Sequence, residues 1–316
     1  MTGAERRHAL SVDLEEYFHV SNFAGLIDPA RWPALPSRIE AQTARLLDLF
    51  DEAGCHATFF ALGWVAERHP RLVAEIARRG HEVACHGYGH ALVSELGPKA
   101  FRDDLRRARA AIEDAAGAPV QGYRAPSYSI TTRSLWALGI LAEEGFAYDS
   151  SIFPIHHPSY GIPDFESHLT TLDLGDGRSI VEFPLTTAQV GRWKLPVAGG
   201  AYLRLLPGPV FRWGFRRAIR SGQPAVLYLH PWEIDPHQPR MRVDWKVRIR
   251  HYRNLDRVEG RLRLLLSQTP FDTMARTIET WREAGRVPLR TLEQCIRRPA
   301  RDLAPNPRPA EREDRG

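Results

Sequence analysis

Cysteine is scarce in this chain. Cys55, Cys85 and Cys295 are the only three in 316 residues, too few and too scattered for a disulfide framework or a thiolate metal site. No run of 18 apolar residues occurs, so no transmembrane helix is predicted. The segment Met-Thr-Gly-Ala-Glu-Arg-Arg-His passes straight into a strand-like run without an apolar stretch, which argues against a signal peptide. A reducing, cytoplasmic setting is the expectation. Internal repeats are missing, and neither charge sign dominates: 43 Lys+Arg stand against 38 Asp+Glu, a net charge of +5. No recognised nucleic-acid motif accompanies that excess, so nucleic acid is not an expected partner. The hydrophobic fraction of 43% and charged fraction of 26% are ordinary for a soluble globular chain and exclude wholesale disorder or fibrous repeats. The length fits two domains, or one barrel-sized domain with additions.

What is present is an alternation of short apolar runs and amphipathic helices. His8-Ala-Leu-Ser-Val-Asp13, His56–Leu62, Glu82-Val-Ala-Cys85, Gly122-Tyr-Arg124, Phe146-Ala-Tyr148, Ile180-Val-Glu-Phe183 and Ala225–Leu229 read as strands. Residues 37–53, 70–79, 99–115 and 132–144 read as helices between them. Strand–helix alternation predicts a parallel α/β sheet or barrel. In such folds functional groups gather at the C-terminal strand ends. Asp13, His86, Arg124, Asp149 and His230 all close or follow predicted strands. Residues 155–178 read as loop-rich, and residues 185–210 carry a Gly199-Gly200 turn and several prolines. Further helices are expected over 254–267 and 272–284. The stretch 240–263 carries nine Lys+Arg against three acids. Residues 299–316, rich in proline and charge, are expected to form a disordered tail.

His86-Gly-Tyr-Gly-His90 spaces two histidines at i and i+4, one side of a helical turn, where they can grip one metal. Strand alternation puts Asp13 and Glu15 on one face. A carboxylate with two histidines makes a facial metal set with open positions, and a second carboxylate can accept a proton from water. An N-cap cluster of Asp13 with Glu16 is the alternative for this segment. In Tyr123-Arg124-Ala125-Pro126-Ser127-Tyr128, a buried arginine would orient a carboxylate, and the proline turn would aim backbone N–H groups at an oxyanion. His230, after its apolar strand and paired with a carboxylate, suits a general acid.

These segments, in this order, resemble the five motifs of the polysaccharide deacetylase (NodB-homology, carbohydrate esterase family 4-like) proteins. Ser-Val-Asp-Leu-Glu-Glu-Tyr-Phe, Ala57-Thr-Phe-Phe-Ala-Leu-Gly-Trp64, Gly80-His-Glu-Val-Ala-Cys-His86, Arg124-Ala-Pro-Ser-Tyr128, Asp149-Ser-Ser-Ile-Phe-Pro154 and His230-Pro-Trp-Glu-Ile-Asp235 further resemble the subfamily encoded near exosortase (PEP-CTERM) exopolysaccharide loci. The resemblance spans roughly residues 8–290. It implies a distorted (β/α) barrel over residues 1–238, with a basic helical extension over 239–298 packed on it. It implies metal-dependent N-deacetylation of sugars in a polysaccharide or its precursor, in exopolysaccharide biosynthesis. A cyclic amide hydrolase of the allantoinase-like branch and a non-catalytic relative are the alternatives.

By the same resemblance, Asp13 is the base, His86 and His90 are metal ligands and His230 is the general acid. Arg124 orients the base and Asp149 tunes His230. Ser127, Tyr128 and Trp232 belong to the substrate site. The family's second aspartate is replaced by Leu14, which leaves Glu15 as the carboxylate ligand and Glu16 as its rival. Zinc is the expected metal, although such ligands also accept cobalt, nickel or manganese. The expected partner is an N-acetylated oligo- or polysaccharide, lipid-linked or acidic. The basic stretch would attract an acidic glycan, a lipid-linked diphosphate or an anionic membrane surface, or its arginines would pair with acids within the fold.

Overall fold

The computed structural model describes residues 7–296. Strands β1 (His8–Leu14), β2 (Thr58–Ala61), β3 (Glu82–Cys85), β4 (Gly122–Tyr123) and β5 (Tyr148–Asp149) lie side by side, each parallel to the next. β1 and β2 are buried along their whole length, as parallel strands covered by helices on both faces are. Helices Ile39–Ala53, Pro70–Arg78, Pro98–Ala116 and Trp136–Glu143 make the crossovers. Their apolar stripes face the sheet: Phe101, Leu105, Ala108 and Ile112 are the buried residues of the third, spaced as one helical face requires.

The second half departs from this repeat. β6 (Thr170–Gly175) and β7 (Arg178–Glu182) form an antiparallel hairpin, with β7 parallel to β5. β8 (Thr187–Val190) and β9 (Trp193–Pro196) form a separate two-stranded sheet. β10 (Val226–Leu229) returns beside β1, and β11 (Phe271–Asp272) pairs the start of β1. β12 (Leu289–Thr291) extends the sheet at β6. The order β10-β1-β2-β3-β4-β5-β7-β6-β12 is the parallel α/β sheet that the alternation predicts, in the distorted (β/α) barrel-type arrangement that the resemblance implies.

Several elements were hidden from the sequence. The proline-bearing stretch 185–210, where no element was expected beyond the Gly199-Gly200 turn, holds β8, β9 and the helix Ala201–Leu205, and a further helix runs from Gly208 to Ile219. Gly199 and Gly200 make the turn expected there, for a specific reason. Gly199, at φ 122°, lies so close to β10 that a Cβ would sit 2.0 Å from the Tyr228 carbonyl oxygen. Only glycine tolerates both that conformation and that approach.

The C-terminal part is woven into the barrel. Met274, Ile278 and Trp281 share an apolar cluster with Ala9, Phe60, Tyr148 and Val226. Helix Val258–Leu266 buries Val258, Leu262 and Leu265. The basic stretch divides in role. Arg261 donates to the carbonyls of Arg204 and Leu206 at 3.0 and 2.9 Å, and Arg263 pairs with Glu259 at 3.2 Å and with Glu52. Arg240, Arg242 and Arg248 line a shallow cavity and pair with no carboxylate among the described residues. No helix among the described residues is long and apolar enough to cross a membrane. The expected tail over 299–316 lies outside the described residues.

Candidate active site

Four strand ends supply the site. Asp13 is buried near the end of β1. The chain then folds back at once, Glu15 N–H donating to the Asp13 carbonyl at 3.0 Å, so that both carboxylates reach one space. His86 follows β3, Arg124 follows β4 and His230 follows β10.

Glu15, His86 and His90 present ligand atoms that all lie within 4.8 Å of one another. Glu15 Oε2 is 3.0 Å from His90 Nε2, yet is buried with no hydrogen-bond partner. An unsatisfied buried carboxylate oxygen beside two imidazoles is what a metal ligand looks like without its ion. The Arg124 carbonyl lies 2.8 Å from His86 Nδ1. Accepting the Nδ1 proton there leaves Nε2 as the free lone pair, the usual way an outer partner fixes a ligating histidine. Burial holds the His86 imidazole down at about 4, so it is neutral at pH 7. Burial alone would raise Glu15, but the adjoining His90 imidazole and the charge of His230 keep it below the ordinary carboxylate range.

The histidine pair is not helical, contrary to the spacing argument. Residues 86–90 form a loop, with Gly87 at φ 76° and His90 at φ 57°. Helix Gly63–Arg68 holds this loop through Gly63 N–H to the Gly87 carbonyl and Trp64 N–H to the Tyr88 carbonyl, both at 2.9 Å. Tyr88 N–H donates to Asp104 at 3.0 Å. These bonds keep His90 in a backbone region that non-glycine residues seldom occupy. Glu16 turns away from the site: its carboxylate accepts from Ser37 Oγ–H and from the N–H of Arg38 and Ile39, at the start of helix Ile39–Ala53. Glu15, not Glu16, therefore joins the histidines.

Arg124 is fully buried. Its Nη1 donates to Asp13 Oδ1 at 2.6 Å and to Ser11 Oγ at 2.9 Å, while Nε and Nη2 go to the Ser150 carbonyl and hydroxyl at 3.1 Å. Asp13 Oδ2 is left facing the cluster, 3.8 Å from His230 Nε2 and 3.5 Å from the Tyr128 hydroxyl. Ser127 and Tyr128, at φ 52° and 55°, form the tight turn expected after Arg124. The Ser127 hydroxyl contacts Ser21 Oγ.

Two assigned partners need correction. Asp149 does not touch His230. It accepts from Ser151 Oγ–H at 2.6 Å and Ser151 N–H at 3.1 Å, and burial pushes both its carboxyl and that of neighbouring Glu182 up. The carboxylate at His230 is Glu233, whose Oε2 is 2.9 Å from Nδ1 and accepts the His230 N–H at 3.1 Å. Glu233 Oε1 takes Arg204 Nε–H at 2.7 Å. Arg204, buried itself, spends its other donors on the carbonyls of Arg253 and Arg250, at 3.1 and 2.9 Å. Burial opposes charge at both ends of the Glu233–His230 pair. Even so, the hydrogen bond from His230 and the charge of Arg204 hold Glu233 near 2. Glu233, Glu15 and Asp13 lift His230 to about 9. Trp232 is the second correction. It is buried, with His230 stacked at 5.0 Å and His251 at 4.3 Å, so it braces the His230 ring and offers no open face to a sugar. Glu233 could have been found from its position three residues after His230, the spacing of a capping box. Arg204, inside Leu-Arg-Leu-Leu, carries no sequence signal.

Residues 33–142 match the family described as Polysaccharide deacetylase, and residues 150–279 match a domain of unknown function, DUF3473. A peptidoglycan deacetylase from Helicobacter pylori is 30% identical over 172 residues, covering 54% of this chain and 53% of that one. A peptidoglycan deacetylase-like protein from Gibberella zeae is 33% identical over 110 residues, covering 34% and 32%. The chain thus spans between about a third and a half of the length of these relatives. Among solved structures, a Mycobacterium smegmatis protein assigned to the polysaccharide deacetylases aligns at a TM-score of 0.59 with 23% identity, covering 91% and 94%. Puue allantoinase aligns at 0.59 with 15% identity, covering 90% and 93%. At those identities both structures speak to the fold alone. Residues 33–142, which include the loop that carries His86 and His90, thus carry a polysaccharide deacetylase domain, and the motif residues within and outside it meet at the strand ends.

Proposed function

We propose that the protein hydrolyses the N-acetyl groups of sugars in a polysaccharide or its precursor, in a metal-dependent manner, during exopolysaccharide synthesis. The observation that carries this reading is one cluster. A carboxylate clamped by a buried arginine, a Glu/His/His ligand set and a histidine held by its own carboxylate meet within hydrogen-bonding reach. The exopolysaccharide setting rests on the motif wording alone. The residues 239–298 are, in this reading, an extension that completes the barrel.

Glu15, His86 and His90 would hold a divalent cation, zinc being the expected one. When bound it supplies a Lewis acid that makes water nucleophilic near neutral pH and polarises the amide carbonyl. Asp13, with Oδ1 held by Arg124, accepts the water proton on Oδ2. The turn at Ser127 and Tyr128 supplies a backbone N–H to the developing oxyanion, and the Tyr128 ring walls the pocket. His230, charged at neutral pH, donates its Nε2 proton to the departing amine. Glu233 holds the imidazole by Nδ1 so that Nε2 faces the reaction. The test is acetate release from a panel of N-acetylated oligosaccharides, with and without chelator. No release from any member would end the proposal.

The assignment of His230 as acid has a pH consequence. Its raised position means that the protonated form is lost only as pH rises through about 9. Turnover should therefore fall along an alkaline limb, at about 9 or below it where a bound cation offsets the pull of Glu15. Glu233→Gln removes the charge that sustains the imidazolium, so this limb should move to lower pH. A pH–rate profile checks it, and an unmoved limb would separate Glu233 from the acid.

A further inference from the structure

A second concavity lies away from the catalytic cluster. It is a cleft of about 1360 Å³ between the β8–β9 hairpin, helix Gly208–Ile219 and the loop around 154–168. It is larger than the roughly 300–1,000 Å³ of a pocket for one small molecule. None of Asp13, Glu15, His86, His90 or His230 lines it. Its charge is one-sided. Arg192, Lys194, Arg212, Arg216, Arg217 and Arg220 face two carboxylates, Asp164 and Glu166, and Glu166 is already paired with Arg290 and His168 at 3.3 Å each. Arg192, Arg212 and Arg220 pair with no carboxylate among the described residues. Two large aromatic rings stand out beside these cations: Trp193 is 68% exposed and Trp213 is 51% exposed, with Arg192 over the first ring at 4.9 Å.

We infer that this cleft binds an anionic polysaccharide chain, its acidic groups on the arginines and its sugar faces against Trp193 and Trp213. Guanidinium forks suit carboxylates and other planar or tetrahedral anions. Flat aromatic rings suit the apolar faces of pyranose rings. A narrow chain can reach the buried Thr186 and Phe165 in the lining, whereas a flat lipid surface meets only the rim. Two ring contacts connect the cleft to the catalytic cluster. Tyr202 lines the cleft and packs on Phe153 at 6.1 Å, which packs on Tyr128 at 5.8 Å. A polymer held there would keep its neighbouring sugars at high local concentration beside Asp13. The inference adds a substrate class to the proposed function, but binding itself does not depend on turnover.

The experiment compares wild type with the triple variant Arg192→Ala, Arg212→Ala, Arg220→Ala, and with Trp193→Ala. All four side chains lie outside the catalytic cluster. The probe is hyaluronan of defined length, followed by tryptophan fluorescence and calorimetry, with neutral chitooligosaccharide, phosphatidylglycerol vesicles and single-stranded DNA as the other arms. Wild type should bind hyaluronan more tightly than the neutral oligomer, and the affinity should fall with salt. The triple variant should bind it about tenfold or more weakly, the sum of three exposed ion pairs of ordinary strength. Trp193→Ala should weaken it without changing the salt dependence. If acetate release from the neutral oligomer is measurable, it should be the same in all three proteins. Equal hyaluronan binding by wild type and triple variant overturns the inference. Binding confined to vesicles or to DNA overturns it in favour of those partners. Hyaluronan binding without acetate release from any sugar would retain the cleft and remove the catalytic proposal.

Discussion

Asp13→Asn is expected to lower turnover about 10²–10⁴-fold, the usual worth of a general base, while the metal content stays that of wild type. The amide cannot accept the water proton, yet Glu15, His86 and His90 are untouched. The same change strikes a buried ion pair. Arg124 has its Nη1 2.6 Å from Asp13 Oδ1 and both side chains are essentially out of solvent. Removing one partner of such a pair costs up to about 3–5 kcal/mol, lessened here because the amide oxygen still accepts a hydrogen bond. The kinetic measurement should therefore be accompanied by thermal melting and elemental analysis on the folded fraction. If metal leaves with Asp13→Asn and stays with Glu15→Gln, the roles of the two carboxylates are exchanged.

His86→Ala should abolish stoichiometric metal binding, from about one ion per chain. Glu15→Gln should weaken it, and Glu16→Gln should leave it intact, because the Glu16 carboxylate is committed to the start of helix Ile39–Ala53. A readout independent of turnover exists. An ion that binds only the folded state stabilises it by about 2.7 kcal/mol at a concentration one hundred times its dissociation constant. Added zinc should raise the Tm of wild type and of Glu16→Gln, and not that of His86→Ala. An equal rise in His86→Ala would place the ion elsewhere.

The sequence made the first half of the barrel legible because its strands are buried on both faces and its helices each bury one stripe. β1 to β3 and the helix that carries Phe101 and Leu105 follow from period alone. β6, β8 and β9 did not, since they bury too little: Thr170 and Leu172 in β6, Ala188 alone in β8 and nothing in β9. At the site, Asp13, His86, Arg124 and His230 were visible as polar residues at strand ends, a position where burial demands a partner, and Glu15 and His90 by their spacing from Asp13 and His86. The loop geometry of His90 was not, because i, i+4 spacing in sequence does not distinguish a helical turn from a loop held by outside hydrogen bonds. The pairing of His230 was misread for a similar reason. Asp149 also stands at a strand end, but the hydroxyl and N–H of Ser151 absorb it, while Glu233, at the capping-box spacing from His230, turns back onto the imidazole.

The buried Arg204 has an architectural consequence. Its guanidinium links Glu233, and through it the histidine, to carbonyls of Arg250 and Arg253. A chain cut at residue 238 would leave those N–H groups orphaned in the interior, at a cost of about 1–3 kcal/mol for each uncharged donor and more for a cation, and would strip β11 from the side of β1. The stretch that matches the domain of unknown function is therefore not a detachable appendage to a self-sufficient catalytic module. Transplanting the first half onto another scaffold, or trimming the protein to its better-known stretch, would deliver His86 and His90 without His230 and the Glu233–Arg204 pair that holds it.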